Sequence, residues 1–265
     1  GGSIIVMLGL FDDLKVLTPR VKLAGQLVAA LVLVKAGIMI RLSFIPEGFA
    51  IPLTLFWLVG MSNAINLIDV SDGLASGVAA IAGAFLYTLS VLNNDESIAM
   101  LTLSLVGSTL GFLAYNRPPA KIYLGDTGSM FLGFMLGALA MSGRYSINHR
   151  WAALAPLVLL GVPLFDTAWV LAVRARRGLP ILQGSPDHFA VRLRRHGWSA
   201  ARIALLAYAI ACSLGATALA LCYVSPDWAI GLLGGVVGAV VGAAAILTRM
   251  GRGGEVGYGQ SEKRG

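Results

Sequence analysis

Eight apolar runs dominate the sequence, and each comes close to the ~20 residues that a helix needs to cross the hydrocarbon core of a bilayer. The chain is 57% hydrophobic and 12% charged, whereas a soluble domain carries about 25% charged residues. The sequence shows no alternation of polar and apolar residues in ~10-residue segments, the pattern typical of a transmembrane barrel. We therefore predict an all-α, polytopic membrane bundle of about eight spans. The runs cover residues 21–40, 51–70, 75–92, 98–115, 127–143, 152–173, 203–224 and 228–248.

A shorter apolar run, Ile4 to Leu10, opens the chain. It is too short to span a membrane, so we interpret it as the tail of a truncated helix or as a re-entrant piece, and we expect further spans before it. The pattern predicts a transmembrane domain over residues 1–249 and a disordered cytoplasmic tail over residues 250–265.

The net charge of +7 is attributed to loops rather than to a nucleic-acid surface, because Lys and Arg collect in one alternating set of connections. The other set holds Arg41, Arg144 and Arg150, with Lys35 nearby. Basic loop residues remain on the cytoplasmic side of a membrane, which fixes the predicted orientation. The polar residues expected on that side are Asp12, Asp13, Asp69, Asp72, Asp126, Asp187 and His188.

Asn63, Asn66, Asp69 and Asp72 recur every three residues at the end of an apolar run. This spacing keeps neighbours on one helical face. Polar and ionisable groups at a membrane boundary are costly, and a functional site is the default interpretation. The alternative is a helix end at which Asp72 is the N-cap of the next helix.

A loop with the sequence N-R-P-P-A-K-I-Y-L-G-D-T-G-S covers residues 116–129. Its two prolines predict an extended segment. Gly125 and Gly128 flank Asp126, which we place near a helix N-terminus suited to a phosphate or an acid. Tyr123 offers a ring for stacking on a base. A capping role for Asp126 and an interfacial anchor role for Tyr123 are the alternatives.

Two further charged groups complete the candidate site. Asp12 and Asp13 are adjacent, so they point in different directions on a helix and are expected to have different roles; a solvated charge cluster is the alternative. His188, Arg192, Arg195 and His196 are spaced at three and four residues and can share a cationic helix face. Such a face suits a diphosphate, although a basic helix on the membrane surface would look the same.

These groups together indicate a chemistry. Hard carboxylate oxygens favour Mg²⁺, with Mn²⁺ as the alternative, and zinc-type Cys/His spacing is lacking. A divalent cation with Lys, Arg and a stackable ring suggests a nucleotide diphosphate, with a second substrate held in the membrane. Transfer of a phosphoryl-type group needs mainly positioning and charge neutralisation, which such a set supplies if its carboxylates converge.

The ordered motifs resemble those of the polyprenyl-phosphate N-acetylhexosamine-1-phosphate transferases, glycosyltransferase family 4. This family includes the undecaprenyl-phosphate GlcNAc-1-phosphate transferase and the phospho-N-acetylmuramoyl-pentapeptide transferase. The matching motifs are F-D-D at 11–13, N-x-x-N-x-x-D-x-x-D-G-L-A at 63–75, the loop at 116–129, P-L-F-D-T at 163–167 and D-H-F at 187–189.

The resemblance implies that residues 1–249 form a catalytic domain in a bacterial inner (plasma) membrane. The implied reaction moves N-acetylhexosamine-1-phosphate, with GlcNAc-1-phosphate as the expected group, from a UDP-sugar to undecaprenyl phosphate and releases UMP. This step would initiate synthesis of an envelope polysaccharide such as lipopolysaccharide or teichoic acid. By similarity, Asp126 would bind Mg²⁺, and Asp12, Asp13, Asp69 and Asp72 would be catalytic. The implied substrate-binding residues are Lys22, Asn66, Asn116, Lys121, Tyr123, His188 and Arg192.

The alternatives differ in substrate or in class. The muramoyl-pentapeptide branch carries consecutive histidines in its last cytoplasmic loop, whereas here His188 is followed by F-A-V-R-L. A transporter would need ionisable groups in mid-membrane, where Asp166 is the one candidate, and a lipid-binding scaffold would use the basic loop 174–202. Glycines at four-residue spacing, as in Gly133 and Gly137, permit close helix contact. We expect packing within the chain there and at Gly234, Gly238 and Gly242, with a homodimer seam as the alternative.

Overall fold

Helices make up every regular element in the part of the chain that the computed structural model describes, which is residues 1–41, 46–145, 148–179, 185 and 187–258. The predicted all-α class is therefore confirmed. The helices are α1 (Gly2–Leu14), α2 (Pro19–Lys35), α3 (Glu47–Ile68), α4 (Leu74–Leu92), α5 (Glu96–Asn116), α6 (Gly125–Ser142), α7 (Ala155–Leu159), α8 (Gly161–Arg176), α9 (Phe189–Arg195), α10 (Ala200–Tyr223) and α11 (Pro226–Tyr258), with a 3-10 helix at Arg150–Leu154 before α7.

Within the described ranges, five helices are long and apolar enough to cross a membrane, namely α3, α4, α5, α10 and α11, or six if the bent α7–α8 pair is one span. The protein is thus a polytopic membrane protein, while the predicted count of eight spans is not confirmed. The run at 21–40 becomes a helix of 17 residues. The run at 127–143 becomes α6, whose first turn is polar.

A sharp bend interrupts the run predicted at 152–173. The 3-10 helix and α7 meet α8 at 75°, and the break falls at Leu160. Pro163 explains it, because a proline lacks an N–H group and its ring clashes with the carbonyl four residues earlier, here that of Leu159.

Glycines allow α6 to pack tightly between two neighbours. A Cβ at Gly133 would lie 2.3 Å from the Met61 carbonyl oxygen of α3, and one at Gly9 of α1 would lie 2.4 Å from the Thr127 Cα of α6. Neither crossing leaves room for a side chain. Close packing brings the N-terminal end of α6 beside the end of α1 and the end of α3, which is where the polar motifs lie.

The second glycine stripe behaves differently. A Cβ at Gly234, Gly238 or Gly242 would meet nothing within 4 Å among the described residues. The expectation that these glycines pack within the chain is therefore wrong, because α11 presents this face away from the bundle, and the homodimer seam stays a prediction. α11 continues to Tyr258, into the predicted tail, and residues 259–265 lie outside the described part.

Candidate active site

Lys22 joins two carboxylates that are far apart in sequence. Its Nζ donates to Asp126 Oδ2 at 2.8 Å and also forms an ion pair with Asp12. The Asp12 side chain is almost fully buried, whereas that of Asp126 is about one-third exposed. Burying a carboxylate is costly unless it is paired, so Lys22 of α2 is the group that allows Asp12 of α1 and Asp126 of α6 to lie together.

Asn66 holds the other oxygen of Asp126. Its Nδ2 donates to Asp126 Oδ1 at 2.7 Å and to Ser129 Oγ at 2.8 Å. Ser129 Oγ in turn donates to the Gly125 carbonyl oxygen at 2.7 Å. Both oxygens of Asp126 are therefore fixed by protein donors, and this carboxylate has a defined orientation at the start of α6.

Asp13 caps α6 from a distance in sequence. Its carboxylate accepts hydrogen bonds from the backbone N–H groups of Asp126 at 2.8 Å and Thr127 at 3.1 Å, and from Thr127 Oγ1 at 2.6 Å. These N–H groups have no partner within the helix, and a negative charge is favourable at a helix N-terminus. The adjacent acids thus have different surroundings, as expected, since Asp12 faces Lys22 and Asp13 faces α6.

Gly125 makes the Asp13 cap sterically feasible. Its φ is +62°, and an added Cβ would lie 2.8 Å from Asp13 Oδ2. The left-handed backbone and the close carboxylate both favour glycine at this position.

Asp69 is an acid without a hydrogen-bond partner among the described residues. It follows the last residue of α3 and is partly buried. Burial, together with the nearby charge of Asp126, raises the pKa of Asp69 to about 6. A partly buried acid with a raised pKa beside other polar groups is a candidate for proton transfer.

Asp72 and Asn116 tie the loop at 116–124 to the bundle. Asp72 Oδ2 accepts a hydrogen bond from the Ala120 N–H at 3.1 Å. Asn116, which is buried, accepts from Ser76 Oγ at 2.7 Å and donates to the Ile122 carbonyl at 2.9 Å. Asp72 does not cap α4, so the alternative role given to it is wrong. The catalytic and substrate-binding roles of these two residues stay predictions.

Lys121 and Tyr123 are exposed on this loop, and the Tyr123 side chain is 73% exposed. Their side chains are accessible to a ligand, which suits the predicted roles without testing them. Asn63 forms a double amide pair with Gln26, in which Asn63 Nδ2 donates at 2.7 Å and Gln26 Nε2 donates back at 3.3 Å. Gln26 was missed by sequence reasoning, although a lone amide inside an apolar run was the available signal.

His188 and Arg192 belong to a second, buried cluster. His188 Nδ1 lies 2.6 Å from Asp166 Oδ2, and Arg192 donates to Asp187 Oδ1 at 2.7 Å. Burial opposes ionisation of Asp187, but the Arg192 hydrogen bond and the charge of Arg177 outweigh it and lower the pKa of Asp187. Asp166, with the His188 ring and the Phe189 N–H as partners, was not predicted as a site residue, although an acid in mid-run was a signal for one.

The structure does not bring this second cluster into direct contact with Lys22 or Asp126. A link between the two regions runs through Arg194, which donates to Ser71 Oγ at 3.0 Å. Ser71 lies in the turn between Asp69 and Gly73, so α9 is anchored beside the first cluster. Of the five acids predicted to be catalytic or metal-binding, Asp12, Asp13 and Asp126 therefore form a contacting set, with Asp69 nearby and Asp72 on the loop.

The donor chemistry of the first cluster suits a divalent cation of the magnesium type. Among the described residues, no three His, Cys, Asp or Glu side chains are grouped closely enough to hold a metal by themselves. Mg²⁺ commonly takes one or two protein carboxylates and fills its remaining positions with phosphate oxygens and water. Asp126 and Asp12 could supply such carboxylates, provided that the Lys22 ammonium moves from between them.

Fold and site define a polytopic, α-helical membrane protein with a carboxylate–lysine cluster where helix ends meet. The chain belongs to glycosyl transferase family 4, whose family model matches residues 1–144.

Two relatives are named as transferases of N-acetylglucosamine phosphate. The probable undecaprenyl-phosphate N-acetylglucosaminyl 1-phosphate transferase of Bacillus subtilis is 38% identical over 218 residues, which cover 79% of this chain and 61% of that protein. The decaprenyl-phosphate N-acetylglucosaminephosphotransferase of Mycolicibacterium smegmatis is 35% identical over 236 residues, covering 78% of this chain and 58% of the relative. The chain thus spans about three-fifths of the length of these relatives.

A relative from another branch matches a smaller part. The phospho-N-acetylmuramoyl-pentapeptide-transferase of Limosilactobacillus fermentum is 34% identical over 145 residues, which cover 55% of this chain and 44% of that protein.

Proposed function

We propose that the protein transfers GlcNAc-1-phosphate from UDP-GlcNAc to undecaprenyl phosphate at the cytoplasmic face of a bacterial plasma membrane, with Mg²⁺ as cofactor. An oxygen of the lipid phosphate attacks the sugar-bearing phosphorus, the bond from that phosphorus to the bridging oxygen breaks, and its electron pair leaves with UMP. The observation that carries the proposal is the Asp12–Lys22–Asp126 cluster, in which Asn66 also fixes Asp126.

Asp126 and Asp12 are the residues proposed to hold the cation. Mg²⁺, when bound, would neutralise charge on the donor diphosphate. Asn66 and Ser129 keep the Asp126 carboxylate oriented, since its Oδ1 is bound by the amide that also contacts the serine. Lys22, displaced from the two carboxylates, is placed to pair with a phosphate oxygen instead.

Asp69 is the proposed proton acceptor. Asp13 is engaged with the N–H groups of α6, and Asp12 is paired with Lys22, whereas Asp69 has no hydrogen-bond partner among the described residues. Its pKa of about 6 is close to the second pKa of a phosphate monoester, which is also about 6. Asp69 is therefore suited to take the proton from a lipid phosphate as the nucleophilic dianion forms.

The exposed loop provides the donor-binding side of the proposal. Lys121 and Tyr123 project from the segment held by Asp72 and Asn116, so a rigid base presents a cation and a ring to a uridine diphosphate. His188 and Arg192 contribute through the second cluster, which Arg194 anchors to the turn after Asp69. GlcNAc is preferred over the muramoyl-pentapeptide as the sugar because the GlcNAc-named relatives match more of the chain.

The experiment is UMP release by membranes that contain this chain, supplied with undecaprenyl phosphate, Mg²⁺ and either UDP-GlcNAc or UDP-MurNAc-pentapeptide. We expect release with UDP-GlcNAc, and its loss in Asp126→Asn. Asp227→Asn is the matched control, because Asp227 is an exposed acid at the start of α11, outside the site. Full activity of Asp126→Asn, or release with the pentapeptide donor alone, would overturn the proposal.

A further inference from the structure

A cavity of about 480 Å³ lies at the opposite end of the bundle from the candidate active site. It is lined by the end of α6, the first half of α3 and the segment after α2. Met141 in its lining is separated from Asp126 by the length of α6, which is about 20 Å at ~1.5 Å per residue. The cavity is therefore a separate feature from the Lys22 cluster.

Most of the lining is apolar. Leu53, Trp57, Met141, Leu154 and Leu157 contribute side chains, and Trp57 is oriented by a 2.9 Å hydrogen bond from its Nε1 to the Gly137 carbonyl. The volume falls within the ~300–1,000 Å³ of ligand cavities. In a membrane protein, such a space suits part of an acyl chain.

Three polar side chains at the cavity lack partners among the residues that the structure describes. Tyr145 is largely buried, with a relative exposure of 8%, and its hydroxyl makes no hydrogen bond with the described residues. Arg41 and Arg144 are exposed, and in the described part of the chain neither forms an ion pair. The Tyr145 hydroxyl is therefore available to donate to a ligand oxygen, and two guanidinium groups without an ion pair among the described residues attract an anion.

We propose that this cavity binds one anionic membrane phospholipid. The acyl chain fills the apolar part beside Trp57, the phosphate pairs with Arg41 and Arg144, and the Tyr145 hydroxyl donates to a headgroup or ester oxygen. Arginine guanidinium groups form charge-assisted, often bidentate hydrogen bonds with phosphate oxygens. A zwitterionic lipid would match the apolar lining but would leave the positive charge of the two arginines uncompensated.

The test is native mass spectrometry of the full chain released from nanodiscs that contain equal amounts of phosphatidylglycerol and phosphatidylcholine. We expect one phosphatidylglycerol to be retained preferentially, with about tenfold weaker retention in the R41Q/R144Q variant. Tyr145→Phe keeps the ring that packs against Gly143 and removes the hydroxyl, so it should also weaken retention.

The matched control is K35Q/R150Q, which removes the same charge from the same end of the bundle without touching the cavity lining. A second readout uses phosphatidylglycerol with brominated acyl chains, which should quench the fluorescence of Trp57 in a saturable way that Trp57→Phe abolishes. Equal retention of the two lipids, equal losses in the two double variants, or saturable quenching that survives Trp57→Phe would each overturn the proposal.

Discussion

The Nδ2 atom of Asn66 lies 2.7 Å from Oδ1 of Asp126, across 60 residues of sequence and from the last turn of one helix to the first turn of another. The same amide contacts Ser129. One side chain thus fixes the carboxylate proposed to hold the metal, and the contact depends on the close α3–α6 crossing at Gly133.

Replacing Asn66 by Ala should lower activity by about 10- to 100-fold, because Asp126 loses the donor that orients it while the backbone stays in place. Asn93→Ala is the matched control, since Asn93 lies at the far end of α4 and its amide donates to the backbone carbonyl oxygen of Arg144. The measurement is UMP release at several Mg²⁺ concentrations. We expect the loss to be partly recovered at high Mg²⁺, and an unchanged Mg²⁺ dependence would contradict the orienting role.

Lys22→Met should reduce both activity and stability. The variant leaves Asp12 buried and facing Asp126 without a cation between them, a situation that costs about 3 kcal/mol for a buried pair and less here, where Lys22 is partly exposed. The coupling between Lys22 and Asp12 is measured by unfolding the purified Lys22→Met protein in detergent and comparing it with Asp12→Asn and with the variant that carries both substitutions. We expect the double variant to be more stable than Lys22→Met alone, and strictly additive losses would count against a direct interaction.

Protonation of Asp69 should make the activity fall at low pH, which appears as an acidic limb in the pH profile. If Asp69 accepts a proton, activity falls as the pH drops through its pKa of about 6, because the protonated acid no longer acts as a base. The profile of kcat/KM between pH 5 and pH 8 tests this, and the limb should disappear in Asp69→Asn together with most of the activity. An unchanged limb in the residual activity of that variant would assign the limb to another group.

Ionisation of Asp69, which the reaction needs, should lower the stability of the folded protein. The pKa of Asp69 is higher in the folded protein than the ordinary value of 3.8, so folding favours the protonated form, and its stabilising effect is lost as the pH rises from about 4 through 6. Asp69→Asn should therefore be more stable than the wild type at pH 8, by up to ~3 kcal/mol, and nearly equal to it at pH 4. Thermal unfolding at the two pH values distinguishes this from a pH-independent effect of the substitution.

Sequence reasoning predicted the class of the fold and most of the first cluster, because both depend on local composition. Each apolar run, and the polar residues Asp12, Asn66 and Asp126 near the ends of such runs, can be recognised from the sequence of a single segment. Which side chain or N–H group each acid contacts in the folded protein cannot be recognised from a single segment. Asp13 and Asp126 were both weighed as metal or catalytic groups, yet the structure makes Asp13 the cap of α6, and this assignment needs the distance between α1 and α6.

The partners in the second cluster could not be predicted from the sequence either. His188 and Arg192 lie at helical spacing, which predicts a shared face, but their buried partners Asp166 and Asp187 were not predicted as such. Likewise, span length was overestimated at 21–40 and at 152–173, because apolar composition continues through a helix end at Lys35 and through the bend at Leu160.

Two glycines that look alike in sequence should respond differently to one added methyl group. Gly133 and Gly238 each lie in an apolar helix within a four-residue glycine repeat. A Cβ at Gly133 would lie 2.3 Å from the Met61 carbonyl, whereas one at Gly238 would meet nothing within 4 Å in the described structure. Gly133→Ala must push α6 away from α3, at a cost of about 1–3 kcal/mol, while Gly238→Ala should be neutral or stabilise by up to about 1 kcal/mol through helix propensity.

Thermal unfolding in detergent compares the two variants directly, and UMP release adds a functional readout. Because the α3–α6 crossing carries Asn66 to Asp126, Gly133→Ala should lose activity along with stability, and Gly238→Ala should keep both. If the homodimer seam exists at Gly234, Gly238 and Gly242, Gly238→Ala would instead shift the oligomeric state measured by light scattering while the activity per chain stays unchanged. Equal destabilisation by the two substitutions would show that the tight α3–α6 contact does not hold the site together.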